Sequence, residues 1–269
     1  MKVQHKTWVV TGGGSGIGRA LVLEILRRGG RVAAVDMHPN SLEETRILAG
    51  SMASRLSLHE LNITHRAGVE ALPQQVLAAH GSIDGLINNA GIIQPFVKVV
   101  DLDESAIQRV MDVNFYGTLW MTRAFLPQLK QRPEAHILNI SSMGGFLPVP
   151  GQAIYGAAKA AVKLFTEALF AELQNTPVRV TVAFPGAIAT NITTNSGVQA
   201  PGGAAAEKAA KQFKALPAEK AANILLDAVE ANRFRVLVGS DAAFLDKLYR
   251  FHPAYATRFI AKKMASLLG

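Results

Sequence analysis

The chain has 269 residues, 49% of them hydrophobic and 18% charged, with a mean hydropathy of +0.19; that balance excludes a disordered protein and falls well short of a polytopic membrane protein. Cysteine is absent, which removes disulfides, thiolate metal sites and a cysteine nucleophile together and fits a reducing, cytoplasmic setting. Lys and Arg outnumber Asp and Glu by 28 to 20, a net charge of +8, so the surface attracts anions such as phosphate-bearing cofactors, nucleic acid or acidic lipid.

Seven short apolar runs, at residues 7–11, 31–36, 56–61, 84–88, 136–140, 179–184 and 235–238, read as strands, and most of the segments between them have helical period. Runs such as Trp8-Val9-Val10 and Val32-Ala33-Ala34-Val35 are apolar on both faces, as parallel strands covered by helices on each side must be. The pattern predicts an α/β fold, a single-domain, doubly wound parallel sheet of about seven strands over residues 1–240. Pro73 weakens the helix expected over residues 67–79. A long stretch at 188–214, rich in Ala, Gly, Thr and Asn, is an insertion after the sixth strand and reads as a substrate lid. No signal peptide is expected, because the apolar stretch after Met1–Trp8 is short and runs into Gly12. The two uncharged stretches, 135–158 and 180–206, are interrupted by Pro, Gly, Asn, Ser or Thr and span no bilayer.

The first strand runs into Thr11-Gly12-Gly13-Gly14-Ser15-Gly16-Ile17-Gly18 and then into a helical segment. This is a turn able to cradle a pyrophosphate. Gly12 lets the chain reverse, Gly16 removes a side chain from the path to the helix N-terminus, and Gly18 permits close packing. Ser15 and Ile17 present backbone to the same place, and the spacing is GxxxGxG because position 17 is Ile. Asp36 ends the second strand, 18 residues beyond Gly18, where a carboxylate accepts from ribose hydroxyls and repels a 2′-phosphate. With no Arg or Lys at Met37 or His38, the expected cofactor is NAD rather than NADP.

Tyr155 and Lys159 are four residues apart at the start of a helical segment and share one face. An ammonium beside a phenol lowers its pKa, which makes Tyr155 a candidate general acid or base. Ser142, just past the fifth strand in Asn139-Ile140-Ser141-Ser142, stands at the carboxyl edge where ligands bind and can hydrogen-bond a substrate oxygen.

These motifs, with Asn88-Asn89-Ala90-Gly91 after the fourth strand, Asn114 in the following helix, and Pro185-Gly186 with Thr190, occur in an order that resembles the short-chain dehydrogenase/reductase family over residues 7–240. The resemblance implies that Tyr155 donates or accepts the proton, Ser142 orients the carbonyl or hydroxyl, Lys159 holds the nicotinamide ribose and tunes Tyr155, and Asn114 positions a water in a proton relay. It places Asn88, Asn89, Ala90 and Gly91 on the adenosine side and against the central sheet. Pro185, Gly186, Ile188 and Thr190 fall at the nicotinamide end. Many relatives carry Asp where this chain has Asn62, beside Ile63; Asn can still pair with the adenine edge. The implied reaction is reversible interconversion of a carbonyl and an alcohol, with NAD or NADP as hydride carrier. The implied assembly is a homodimer or homotetramer built on helices that include residues 106–130 and 155–173.

The expected substrate wall, Gln94-Pro95-Phe96 and Met143 to Val149 with Phe146, together with the lid, carries no formal charge up to Ala206. That suits a hydrophobic alcohol or ketone, lipid-, steroid- or terpenoid-like, better than a polyanion. An extension at 241–269 holds Lys247, Arg250, Arg258, Lys262 and Lys263 against Asp246, interleaved with aromatic and aliphatic residues. Such a segment packs on the body or a subunit, lies peripherally on anionic membrane, or grips another partner. Seven histidines form no HxH or HExxH pattern, so no metal is expected, and nothing beyond charge suggests nucleic acid. Alternative readings are a 3-oxoacyl reductase acting on a carrier-protein or CoA thioester, against which Asp36 argues, and a non-catalytic dinucleotide-sensing or membrane-peripheral binding protein.

Overall fold

A computed structural model describes residues 1–198 and 215–265. Seven parallel strands form one sheet in the order β3-β2-β1-β4-β5-β6-β9, from β1 (Thr7–Thr11), β2 (Arg31–Asp36), β3 (Leu56–Glu60), β4 (Gly85–Asn88), β5 (Ala135–Ile140), β6 (Val178–Pro185) and β9 (Arg235–Val238). β1 is central, its Val9 in register with Ala33 of β2 on one side and Leu86 of β4 on the other. Strand order reverses between β1 and β4, and in such a sheet the crevice beyond the carboxyl ends at that point receives ligands.

The alternation of side chains along each strand divides the core in two. Trp8 and Val10 join Leu21 and Ile25 of α1 (Gly16–Arg27) and Leu225 and Val229 of α8 (Ala218–Glu230) on one face. Val9 joins the opposite face, with Leu72 of α3 (Arg66–His80), Met121 and Phe125 of α5 (Thr118–Lys130), and Leu169 of α6 (Ala153–Glu172). α2 (Pro39–Ala49) follows β2. Pro73 does not break its helix: α3 runs unbroken through it, and the ring is buried in the core. Burial there compensates for the lost amide hydrogen bond. α4 (Glu104–Met111) passes into α5 through a π-helical stretch, Asp112–Gly117, which hydrophobic period does not distinguish from ordinary helix.

The insertion is pinned where it leaves and rejoins the body, since β7 (Ile188–Ala189) pairs with β8 (Leu216–Pro217). One short helix, α7 (Ile192–Asn195), follows β7. The rest of the expected lid, 199–214, lies outside the described residues. After β9 the chain forms α9 (Ser240–Phe251) and α10 (Pro253–Lys263). Leu245, Ala256 and Ile260 of this pair close over Leu147, with Met143 and Phe146 packed alongside. The Arg235 guanidinium grips the Asp246 carboxylate through two bonds of 2.9 and 2.7 Å, a geometry with the specificity of a bidentate pair. No helix among the described residues is long and apolar enough to cross a membrane.

Candidate active site

The glycine turn connects β1 to α1. Gly12 and Gly16 have φ of +68° and +51°, a region that side chains disfavour. A Cβ on Gly18 would stand 1.9 Å from the Gly12 carbonyl oxygen, so this glycine closes the turn upon itself. Ser15 caps α1 without a side-chain hydrogen bond to it, and its Oγ instead accepts from Asn195 Nδ2 at 2.9 Å. The first amides of α1 therefore remain directed at the cavity with the positive end of the helix dipole behind them. Beside the turn, Asp36 accepts from the Gly14 amide (3.0 Å) through Oδ2 and from the His38 amide (3.1 Å) through Oδ1. Thr11 Oγ1 accepts from the amides of Asn89 and Ala90, both at 3.0 Å, which ties the end of β4 to the end of β1. Asn88 points away from the cavity: its Nδ2 donates to Thr122 Oγ1 and Asn139 Oδ1 in the interior. Of the two places expected for it, it occupies the one against the sheet.

At the other end, β5 delivers Ser141 and Ser142. Ser141 Oγ donates to the Lys159 carbonyl at 2.7 Å, docking α6 against the strand. Ser142 Oγ accepts from the Gly144 amide at 3.0 Å, leaving its proton to donate elsewhere. Tyr155 and Lys159 lie one turn apart on α6. Lys159 is buried, and its Nζ donates to the Ile140 carbonyl at 3.0 Å; loss of solvent pulls its pKa down to about 8. Burial pushes the Tyr155 phenol above its usual value, and the Ser142 hydroxyl pulls it part of the way back. The direction is thus opposite to the lowering expected from an adjacent ammonium, because desolvation dominates. Gly91 makes room where these parts meet: a Cβ there would be 2.9 Å from Asn114 Oδ1 and 3.0 Å from Lys159 Nζ. Asn114 sits in the π-helical stretch, a common device at functional sites, and its amide closes on the backbone of Ile92 from both sides (2.9 and 2.8 Å).

Both ends open into one cavity of about 400 Å³. Its walls include Gly12, Ser15, Gly16, Ile17, Asp36, Asn62, Ile63, Asn89, Ala90 and Gly91 toward the glycine turn, and Ser142, Tyr155, Lys159, Pro185, Gly186, Ile188 and Thr190 toward α6. Gly18 and fully buried Asn114 stand behind the wall. The two segments expected as the substrate wall, 94–96 and 143–149, do not line it. Gln94 is fully buried; its Oε1 accepts from the amides of Ile154 and Tyr155 (2.7 and 3.1 Å), and its carbonyl accepts from Gln152 Nε2 (2.8 Å). Orphan amides at the start of α6 demand an acceptor, and Gln94 supplies it. Phe146 turns toward Phe184, ring centroids 5.5 Å apart, and joins the C-terminal cluster. Phe96, half-buried, also lies off the wall. In their place stand Ile92, Ile93, Val113, Ile192 and Asn195. Ile92 and Ile93 directly follow Gly91, so proximity to a strand end was a usable signal for them; Val113 depends on the π-helical register and carried none.

A profile of the short chain dehydrogenase family matches residues 6–201. The Mycobacterium tuberculosis protein SadH is 36% identical, the match covering 97% of this chain and 96% of SadH. A short-chain dehydrogenase/reductase from Burkholderia phymatum in complex with NAD superposes with a TM-score of 0.85 at 25% identity, covering 95% of this chain and 96% of that one. One from Burkholderia cenocepacia in complex with NADP gives 0.80 at 26%, covering 97% and 99%. A 3-ketoacyl-(acyl-carrier-protein) reductase from Brucella melitensis complexed with NADH gives 0.77 at 26%, covering 88% and 96%.

Proposed function

The chain belongs to the short-chain dehydrogenase/reductase family, and we propose that within it this protein is an NAD(H)-dependent oxidoreductase that interconverts a hydrophobic secondary alcohol and its ketone, or an alcohol and its aldehyde. The carrying observation is one cavity with a positive-φ glycine turn and free helix amides at one end and Ser142, Tyr155 and Lys159 at the other. The cradle fits a dinucleotide, since a Cβ at Gly16 would project toward Thr190 on the facing cavity wall and one at Gly12 would press on Asn89 and Ala90 and distort the turn. Asp36 and the absence of Lys or Arg among the cavity residues around it favour the cofactor without a 2′-phosphate. Nearby Arg19 is engaged by Glu44 and the Ser41 carbonyl.

When bound, the nicotinamide supplies or accepts the hydride. The residues manage the proton and the substrate oxygen. Ser142 donates its free O–H to that oxygen. Tyr155, a phenol protonated at neutral pH and held more firmly so by burial, donates to a carbonyl as hydride arrives; in the oxidative direction it must first be a base, so oxidation gains from higher pH. Lys159, buried behind it, contributes positive charge below about pH 8. Ile92, Ile93 and Ile192 add apolar side chains to the cavity wall, which supports a hydrophobic substrate. Exposed Leu164, Tyr116 and Phe170 give helices around α5 and α6 an apolar outer face suited to a homo-oligomer. A 3-oxoacyl thioester is the second reading; the Brucella enzyme's complex with NADH removes cofactor choice as an argument against it.

The test is titration of the protein with NADH and NADPH, followed by absorbance assays with apolar secondary alcohols, their ketones and 3-oxoacyl thioesters. Tighter binding of NADH, with turnover falling on the order of a thousandfold in Tyr155→Phe, is expected. Preference for NADPH overturns the role given to Asp36. Binding without turnover across the panel overturns the catalytic reading in favour of a nucleotide sensor.

A further inference from the structure

The C-terminal helices have two unlike faces. The inner one is spent on the body: Ala242 and Leu245 of α9 and Ala256 and Ile260 of α10 are buried, and the Asp246 carboxylate turns inward to Arg235. Asp246 is the only acidic residue between Ala242 and Ala265, so turning it inward leaves the outer face without a carboxylate. On that face of α9, Phe244, Lys247 and Phe251 recur at i, i+3 and i+7; on α10, Tyr255, Arg258 and Lys262 repeat the spacing. Each trio makes one helical stripe. Phe251 is 78% exposed, and Phe244 and Tyr255 are each 59% exposed, where an isolated surface would carry polar residues. Lys263 flanks the stripes, its Nζ 6.0 Å from the Phe259 ring, whereas Arg250 pairs with Asp246 at 3.1 Å.

We infer that this outer face docks the enzyme on an anionic phospholipid surface. Aromatic rings at the level of the headgroups, with Lys and Arg set against lipid phosphates, are what an interfacial helix needs. An acidic protein partner would match the cations but gives no reason for three exposed aromatic rings in stripes with them. The inner face of the same helices holds the site's own loops. Asp241 Oδ2 accepts from the Ala187 amide at 2.7 Å, and Met143 and Phe146, immediately after Ser142, pack in the tail cluster. Docking therefore places the lipid on the side of the body from which the tail supports the loops after Ser142 and Gly186, where a water-insoluble substrate is concentrated. The binding itself does not depend on the substrate assigned above.

The experiment is cosedimentation of the full chain with phosphatidylcholine vesicles and with vesicles containing phosphatidylglycerol. Binding to the anionic vesicles alone, weakened by salt, is expected. Phe251→Ser with Tyr255→Ser should lower it on the order of tenfold, and Lys247→Glu with Lys262→Glu at least as much. The charge-matched control, Lys98→Glu with Lys130→Glu, lies elsewhere on the surface and should change it less than twofold; circular dichroism and NADH binding verify the fold of each variant. Equal losses in the control and the tail variants would overturn the inference in favour of diffuse attraction by net charge. So would no loss in the aromatic variant, or a drop in oligomer size in that variant with vesicle binding unchanged, which would assign the face to a second copy of the chain.

Discussion

At the glycine turn the cavity wall is backbone, and at the Tyr155 end it is side chain. Gly12, Gly16 and Gly18 do their work by lacking a Cβ: Gly12 and Gly18 abut the turn itself and the adjoining end of β4, and Gly16 alone faces a distant residue, Thr190. Ser142, Tyr155, Lys159 and Asn114 come from β5, α6 and the π-helical stretch, and their directions are set by groups distant in sequence, Gln94 and Gly91 among them. A wall of backbone tolerates almost no substitution but needs little support. A wall of side chains needs a supporting layer and buries charge to obtain it.

The largest effect is expected at the backbone end. Gly18→Val forces a branched side chain onto the Gly12 carbonyl, which cannot retreat without dragging the turn, so NADH affinity should fall roughly a hundredfold or more; fluorescence titration measures it. Near-normal affinity would break the distinction between the two ends. Next is the buried cation. Lys159 has a pKa of about 8 in the fold against about 10.4 in the unfolded chain, so the folded state sheds its proton first and stability rises with pH between those values. Cofactor-free Lys159→Met should therefore be more stable than the parent at neutral pH by on the order of 3 kcal/mol at most. The gap should close as pH climbs toward the unfolded pKa, as denaturation across pH would show, although the variant loses turnover. The smallest effect is the supporting one. Gln94→Leu should cost about 1 kcal/mol, as removal of a helix cap does, and lower kcat more than KM. Phe146→Ala should destabilise yet leave KM nearly unchanged; a large rise in KM would return Phe146 to the substrate wall.

The central strands were legible almost to the residue because parallel strands covered on both faces are largely apolar, as in β1 and β2; edge strand β3, Leu56–Glu60, alternates instead. β3 and β4 each end or begin one residue inside the expected run. The helix through Pro73 was not, since only burial of the ring reveals its compensation. Cofactor-end residues were recognisable because glycines and a strand-terminal Asp act through local geometry. Phe146 and Gln94 misled: an apolar or polar residue after a strand end can face the cavity or the core, and sequence order does not choose. Asp246 is drawn inward by Arg235 and shared with Arg250, a burial that the order of residues in the tail does not reveal.

The sequence by itself determined the parallel sheet, the dinucleotide turn and the shared face of Tyr155 and Lys159, since those follow from periodicity, φ preference and helical pitch within short stretches of chain. Only the tertiary structure decided which amide caps α6, which rings leave the cavity, which way the Tyr155 pKa moves and which face of the tail keeps its charge. Each of those depends on loss of water and on neighbours brought together by packing, and neither is written in the order of adjacent residues.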